Sequence, residues 1–142
     1  MEEALNQYKV QNKFEVHWGD MDAANHVNNL IYLRWSESAR MNYFVQMGMD
    51  NQFAGKVAPI LGWQDCKYIF PVKYPDTILI GMRTTEIQAD RIMMECSMFS
   101  EKHQRIVALS HQRVIPYHYV DLKKVEVPEE WKHQIKRVEG WS

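Results

Sequence analysis

The sequence is poor in cysteine, glycine and proline, and none of these residue types is clustered. Its two cysteines, Cys66 and Cys96, stand thirty residues apart, with no CxxC pair and no histidine at a zinc-ligand spacing. This argues against a zinc site or a redox pair and predicts reduced, buried thiols. The six glycines and five prolines are scattered, and no linker, repeat or low-complexity tract is present. We therefore expect one continuous domain over residues 1–142.

The sequence also lacks an excess of charge of one sign, and it has no long apolar run. Lys and Arg total 17 against 18 for Asp and Glu, so the formal net charge is −1. A chain without a global field is not expected to bind nucleic acid. The mean hydropathy is −0.47, and no stretch approaches the ~20 apolar residues of a membrane span. Residues 1–10 show no signal-peptide pattern, so we expect no membrane span and a cytoplasmic location.

One long amphipathic helix is predicted in the first third of the chain, from Asn29 to Met47. Asn28 or Asn29 can cap its start, and Gly48 can end it. At ~1.5 Å per residue the helix is about 30 Å long and is the longest element expected. Its apolar residues recur every four positions and form one broad stripe. The stripe consists of Ile31, Trp35, Ala39, Tyr43 and Met47.

Strands are predicted on both sides of this helix. Before it, Phe14, Val16 and Trp18 alternate with polar residues, as in a half-buried strand. After Pro59, three or four alternating runs are separated by breaks at 71–76, 88–90 and 101–104. Such short breaks require antiparallel hairpins. One face of the last long strand is predicted to carry Val107, Leu109, His111, Arg113 and Ile115.

A short terminal helix completes the pattern. It is predicted to begin at Pro128 and to bury Trp131, Ile135 and Val138. Strand, long helix, antiparallel strands and terminal helix together predict an α+β fold. Its sheet should have about five antiparallel strands, covered by the one long helix.

The segment between Trp18 and Arg40 holds the densest set of chemically useful side chains. It reads WGDMDAANHVNNLIYLRWSESAR and places Asp20 and Asp22 directly before the predicted helix. The sequence has no HExxH motif, no GxSxG nucleophile elbow and no glycine-rich phosphate loop. We expect no metal site, and we expect the catalytic groups at the start of the helix.

This segment resembles the hotdog-fold acyl-CoA thioesterases, in the branch of 4-hydroxybenzoyl-CoA thioesterase and YbgC-like proteins. The matching residues are Asp20, Asp22, Asn25, His26, Val27, Asn28, Asn29, Tyr32, Glu37, Ala39 and Arg40. Residues 68–80 (YIFPVKYPDTILI) resemble the family more loosely. The resemblance implies a hotdog fold, in which the sheet wraps around the central helix, and hydrolysis of an acyl thioester. It also implies a homodimer or homotetramer with each active site between two subunits.

Thioester hydrolysis needs an activated oxygen on one side of the carbonyl and hydrogen-bond donors on the other. The first N–H groups of a helix have no intrahelical acceptor, so the backbone of Asn28 and Asn29 is the expected oxyanion hole. By resemblance, Asp22 is the catalytic carboxylate. It can attack the carbonyl directly or act as a general base on water, and the sequence leaves both open. Asp20 is expected to be structural.

His26 and Glu37 are the expected supporting residues. His26 can orient Asp22 or protonate the leaving thiolate, and a hydrogen-bonded loop histidine is an equal alternative. Glu37 can hydrogen-bond behind the site or form a solvated ion pair with Arg34 or Arg40. Ala24 stands where plant acyl-ACP thioesterases keep an asparagine, so a full Asn/His apparatus is absent.

Coenzyme A is expected as part of the substrate, with no other cofactor, and its phosphates require cations near the site. Arg91 stands alone on the hairpin where related enzymes keep several cations, and Lys102 and Arg105 follow in the next turn. This sparse set leaves acyl-CoA and an acyl-carrier protein both open as substrates. Two alternatives to hydrolysis remain: a module that binds acyl thioesters without turnover and, ranked lower, a dehydratase acting on a 3-hydroxyacyl thioester.

Overall fold

The computed structural model describes residues 3–49 and 56–142. Two short 3₁₀ helices, at Glu3–Leu5 and Trp18–Asp20, accompany the regular elements. In chain order these are β1 (Val10–Glu15), α1 (Asn29–Gln46), β2 (Val57–Tyr68), β3 (Thr77–Ile87), β4 (Ile92–Ser100), β5 (Arg105–His118), β6 (Lys123–Lys124) and α2 (Glu129–Glu139). The predicted order of strand, long helix, antiparallel strands and terminal helix is confirmed.

The strands form one antiparallel sheet in the order β1-β3-β4-β5-β2, and the two residues of β6 pair with the end of β5. β3, β4 and β5 are joined by the short hairpins that the sequence predicts. The hairpin predicted across residues 71–76 is wrong, because β2 pairs with β5 and not with β3. β2 pairs with β5 from Val57 to Tyr68 and forms one edge of the sheet. Because α1 packs on one face of this sheet, the predicted α+β fold is confirmed.

Helix α1 begins and ends where the sequence indicates. The side chain of Asn28 accepts a hydrogen bond from the Leu30 N–H at 3.0 Å, so Asn28 is the N-cap. Gly48 follows the helix with φ 85°, a conformation that glycine adopts without a steric penalty. Most of the predicted stripe is buried against the sheet and Ile31 is partly buried. The buried members are Trp35, Ala39, Tyr43 and Met47.

The inner face of the sheet supplies the other half of the main core. Alternate residues of β3 and β4 point to α1 and are fully buried, as their period of two predicts. They are Ile78, Ile80 and Met82 on β3, and Ile92, Met94, Cys96 and Met98 on β4. Burial raises the pKa of the Cys96 thiol to about 12 and also raises that of Cys66. Both cysteines are free thiols, as predicted, although Cys66 is only partly buried.

Two details of the predicted strands are corrected. β1 ends at Glu15, and Trp18 lies in a 3₁₀ helix with 73% of its surface exposed. The Asp20 carboxylate accepts the His17 N–H at 2.8 Å and closes that turn. In β5, Val107 does not share the outer face with Leu109, because a bulge opposite Met98 and Phe99 shifts the register.

A second, smaller core lies on the outer face of the sheet. Leu5 and Tyr8, from the N-terminal segment, pack there against Phe99. The Tyr8 ring lies directly on Gly81, where a Cβ atom would come within 2.3 Å of it. Because Gly81 has no side chain, the N-terminal segment can dock on β3 at this position.

Helix α2 is anchored by a buried polar contact as well as by its predicted apolar residues. Trp131 and Ile135 are buried in the main core. The Glu139 carboxylate accepts hydrogen bonds from the Tyr43 hydroxyl and, at 2.9 Å, from the Thr84 N–H. Burial, and the bond to Glu139, raise the pKa of Tyr43. Within residues 3–49 and 56–142, no helix combines the length and the apolar character that crossing a membrane requires.

Candidate active site

The loop between β1 and α1 is folded by its own backbone hydrogen bonds. Met21 and Val27 pair as an isolated antiparallel bridge, and the Asp22 N–H donates to the His26 carbonyl at 2.9 Å. Asn25 adopts a left-handed conformation with φ 63°, which asparagine tolerates better than most residues. The backbones of Asp22 and His26 are therefore held side by side just before α1.

The Asp22 carboxylate is exposed and is fixed through one of its oxygens. Its Oδ1 accepts the Ala24 N–H at 2.9 Å, which is the bond of an Asx turn. Its Oδ2 has no hydrogen-bond partner among the described residues. The carboxylate is thus oriented and retains one oxygen for chemistry.

A cavity of about 410 Å³ lies beside this carboxylate at the start of α1. Its volume is within the range of small-molecule sites. The lining residues are Asp22, Ala24, His26, Val27, Asn29, Tyr32, Tyr68, Ile69, Phe70 and Pro71. The cavity therefore brings three predicted site residues, Asp22, His26 and Asn29, together with the end of β2.

The start of α1 supplies one of the two predicted backbone donors. The Asn28 N–H donates to the Asp20 carbonyl at 2.9 Å, so the predicted role of this N–H as an oxyanion donor is corrected. The Asn29 N–H is the first of the helix and has no acceptor among the described residues. Asn29 also lines the cavity, so its N–H is the donor that a bound carbonyl oxygen can meet.

His26 is half-buried in the cavity wall. Among the described residues, its side chain has no hydrogen-bond partner, and it is not bonded to Asp22. The structure therefore does not show the alternative in which His26 is a loop histidine held by side-chain hydrogen bonds. No group of three or more His, Cys, Asp or Glu side chains in residues 3–49 and 56–142 is arranged to hold a metal ion.

An aromatic wall that the sequence did not predict closes the cavity. The rings of Tyr32 and Tyr68 meet edge to face with centroids 5.1 Å apart, and the Tyr68 hydroxyl donates to the Asn29 carbonyl at 3.2 Å. Burial raises the pKa of Tyr68 to about 12. The sequence signals for this wall are Tyr32, one of the residues that match the family, and the looser resemblance of residues 68–80, but neither indicates that the two segments meet.

The predicted phosphate-binding residues are divided between two ends of the sheet. The Arg105 guanidinium lies over the Phe70 ring at 4.5 Å, and the His103 ring lies 4.7 Å from it. Because Phe70 lines the cavity, these two contacts place the turn beside it. Lys102 is exposed in the same turn. Arg91 lies beyond the other end of β4 and pairs with the neighbouring carboxylate at 2.9 Å. Nine residues of β4 span roughly 30 Å, so Arg91 is remote from this cavity within one chain.

Among the described residues, Glu37 forms neither of the ion pairs predicted as alternatives, with Arg34 or with Arg40. Glu37 is exposed, whereas Arg40 is only 5% exposed and its Nη1 has no hydrogen-bond partner among the described residues. Burial lowers the pKa of Arg40, and the Glu37 charge partly opposes this effect. Glu37 does not line the cavity beside Asp22.

An antiparallel sheet packed on one central helix, with a cavity at the start of that helix, defines the hotdog class. The chain belongs to the Thioesterase-like superfamily, whose sequence model matches residues 16–135. The predicted family of thioester-hydrolysing enzymes is therefore confirmed. No curated protein matches the chain in sequence.

Solved structures confirm the hotdog fold. A thioesterase from Thermus thermophilus, complexed with coenzyme A and Zn, is 22% identical with a TM-score of 0.85, over 96% of this chain and 98% of that one. A DHNA-CoA thioesterase from Staphylococcus aureus is 15% identical with a TM-score of 0.81, over 92% and 90% of the two chains. A 1,4-dihydroxy-2-naphthoyl-CoA thioesterase from Synechocystis is 18% identical with a TM-score of 0.79, over 89% and 94%.

Proposed function

We propose that this protein hydrolyses acyl-CoA thioesters to a free acid and coenzyme A. The observation that carries the proposal is the cavity at the start of α1, which both Asp22 and Asn29 line. Among the described residues, one carboxylate oxygen of Asp22 and the N–H of Asn29 have no hydrogen-bond partner. Membership of the thioesterase family and the coenzyme A bound to the Thermus thermophilus neighbour support the same chemistry.

Asp22 can act in either of two ways. As a nucleophile, its Oδ2 adds to the thioester carbonyl, the C–S bond breaks with loss of the thiolate, and water hydrolyses the resulting mixed anhydride. As a general base, it takes a proton from water, and the hydroxide adds to the carbonyl before the C–S bond breaks. Both routes end in a carboxylic acid and a thiol.

The start of α1 stabilises the negative charge that develops on the carbonyl oxygen. The Asn29 N–H donates to this oxygen, and the helix dipole places partial positive charge there. His26, in the same wall, supplies a proton to the departing thiolate. Glu37 does not line the cavity beside Asp22, so it has no role in the proposed catalysis.

Coenzyme A enters past the turn between β4 and β5. Arg105 lies on the Phe70 ring at the cavity and Lys102 is exposed in the same turn, so their charges can meet the phosphates of the nucleotide. Arg91 is too far from the cavity of its own chain to bind the same phosphates. It can contribute only to a site that a second copy of the chain completes. An acyl-carrier protein presents a phosphodiester to the same turn and is the alternative substrate.

The test is release of free thiol from a panel of short, long and aromatic acyl-CoAs, together with an acyl-carrier protein substrate. We expect turnover of at least one acyl-CoA and weaker turnover on the carrier protein. Substrate-dependent thermal stabilisation without thiol release would contradict hydrolysis and favour the module that binds without turnover. Loss of water from a 3-hydroxyacyl-CoA without thiol release would favour the dehydratase.

We further propose that two copies of the chain pair through β2. β2 is twelve residues long and is the last strand of the sheet. One side of it pairs with β5, and its other side has no partner strand within the described residues. It exposes large apolar side chains: Ile60, Leu61, Trp63 and Tyr68. A long apolar edge of this kind is covered in stable proteins. Pairing with an identical strand satisfies its backbone and supports the homodimer or homotetramer that the sequence predicts.

Replacing Leu61 with lysine at this edge is expected to shift the protein from dimer or tetramer toward monomer. The lysine charge would lose water where the side chains of the partner strand pack beside it, and charged side chains on an edge strand oppose pairing. Sedimentation velocity measures the change, and circular dichroism checks that the fold is kept. The matched control is Trp141→Lys, at a residue 40% exposed beside α2, which should leave the association state unchanged. A monomeric wild-type protein would contradict the pairing.

A further inference from the structure

We propose that Asp76 is a positioning residue that holds the β4–β5 turn against the cavity and thereby sets the affinity for the nucleotide part of coenzyme A. This inference rests on the proposed function. Asp76 lines no part of the cavity and is not assigned any role by the motif before α1. Its effect on the reaction is therefore exerted through the turn.

Asp76 is a buried carboxylate, only 8% exposed, that ties two distant segments together. Its Oδ1 accepts the Thr77 N–H at 2.7 Å and the Lys102 N–H at 3.0 Å. Its Oδ2 accepts the Ser100 hydroxyl, whose Oγ accepts the His103 N–H at 3.0 Å. One side chain therefore fixes the backbone of the turn at its beginning and in its middle.

The turn that Asp76 fixes carries the cations beside the cavity. His103 and Arg105 pack on the Phe70 ring, and Phe70 lines the cavity. The Lys102 N–H donates directly to the Asp76 carboxylate. If these bonds are lost, the charges of Lys102 and Arg105 are no longer held in one place, and ordering them costs free energy each time a phosphate binds.

Positioning of the turn and the negative charge of Asp76 predict opposite changes in KM for acyl-CoA when Asp76 is replaced. Replacing Asp76 with asparagine removes a negative charge close to a phosphate-binding turn, which by Coulomb's law alone favours coenzyme A. The positioning role predicts the opposite, because asparagine keeps only one acceptor oxygen. That single oxygen cannot replace both carboxylate oxygens, which accept the Thr77 and Lys102 N–H groups and the Ser100 hydroxyl. The direction in which KM for acyl-CoA changes therefore distinguishes the two explanations.

The experiment compares Asp76→Asn with the wild type on two substrates, an acyl-CoA and the matching acyl-pantetheine, which lacks the nucleotide. We expect KM for acyl-CoA to rise about tenfold, with kcat unchanged and KM for acyl-pantetheine unchanged. A fall in KM for acyl-CoA, or equal rises for both substrates, would overturn the inference. If wild-type protein releases thiol from neither substrate, it is the proposed function that fails.

Ser100→Ala provides a second variant in case Asp76→Asn does not fold. It leaves the carboxylate and its two backbone bonds intact and removes only the hydroxyl that links Asp76 to His103. We expect a smaller rise in KM for acyl-CoA, again with no change for acyl-pantetheine. The same kinetics as wild type on both substrates would count against a role for Asp76 through the turn.

Discussion

Replacing Asp22 with asparagine is expected to lower thiol release by a factor of about 10² to 10⁴. The amide has no negative charge, so it can neither attack the thioester carbonyl nor take a proton from water. Its side-chain oxygen can still accept the Ala24 N–H, which keeps the turn before α1 in place. The loss should therefore appear in kcat with little change in thermal stability. Thiol release and a melting curve, measured on the same preparation, check both parts.

The matched control is Asp20→Asn, two residues earlier in the same loop. The Asp20 carboxylate accepts only the His17 N–H among the described residues, a bond that an asparagine oxygen can also accept. We expect this variant to retain turnover. Full activity of Asp22→Asn would remove Asp22 from the mechanism, and equal losses in the two variants would mean that the loop tolerates no change of charge.

Replacing Gly81 with alanine is expected to destabilise the fold by about 3 kcal/mol, the upper end of what overpacking costs in a closely packed core. The new Cβ would lie 2.3 to 2.7 Å from three carbon atoms of Tyr8. Because these atoms are not the flexible end of a side chain, either β3 or the N-terminal segment must move. Denaturant unfolding, followed by tryptophan fluorescence, measures the change in the free energy of unfolding.

A double-mutant cycle with Tyr8→Gly tests this cause directly. In a chain that lacks the Tyr8 side chain, the methyl group at position 81 has room, so Gly81→Ala should cost little there. Gly19→Ala is the control for the methyl group itself, since no atom lies within 4 Å of the Cβ it would add. An equal cost of Gly81→Ala with and without Tyr8 would show that the cost does not come from the Tyr8 ring.

Local sequence determined the elements of this fold and one side of its candidate site. The four-residue repeat of α1, the cap at Asn28 and the period of two in β3 and β4 depend on neighbouring residues, and their elements form where these patterns predict. Asp22 and His26 lie on one short loop directly before α1, so their proximity was readable from their spacing.

Only the tertiary structure decided what surrounds that loop. Tyr68 and Phe70 reach the cavity from the end of β2, about forty residues later, through packing that no local pattern encodes. The same holds for Arg40, which is buried in the folded chain although its charge suggested a solvated face of α1. Periodicity reports which side of an element is apolar. The partner of each polar group is fixed only when distant segments compete for the same hydrogen bonds and the same buried space.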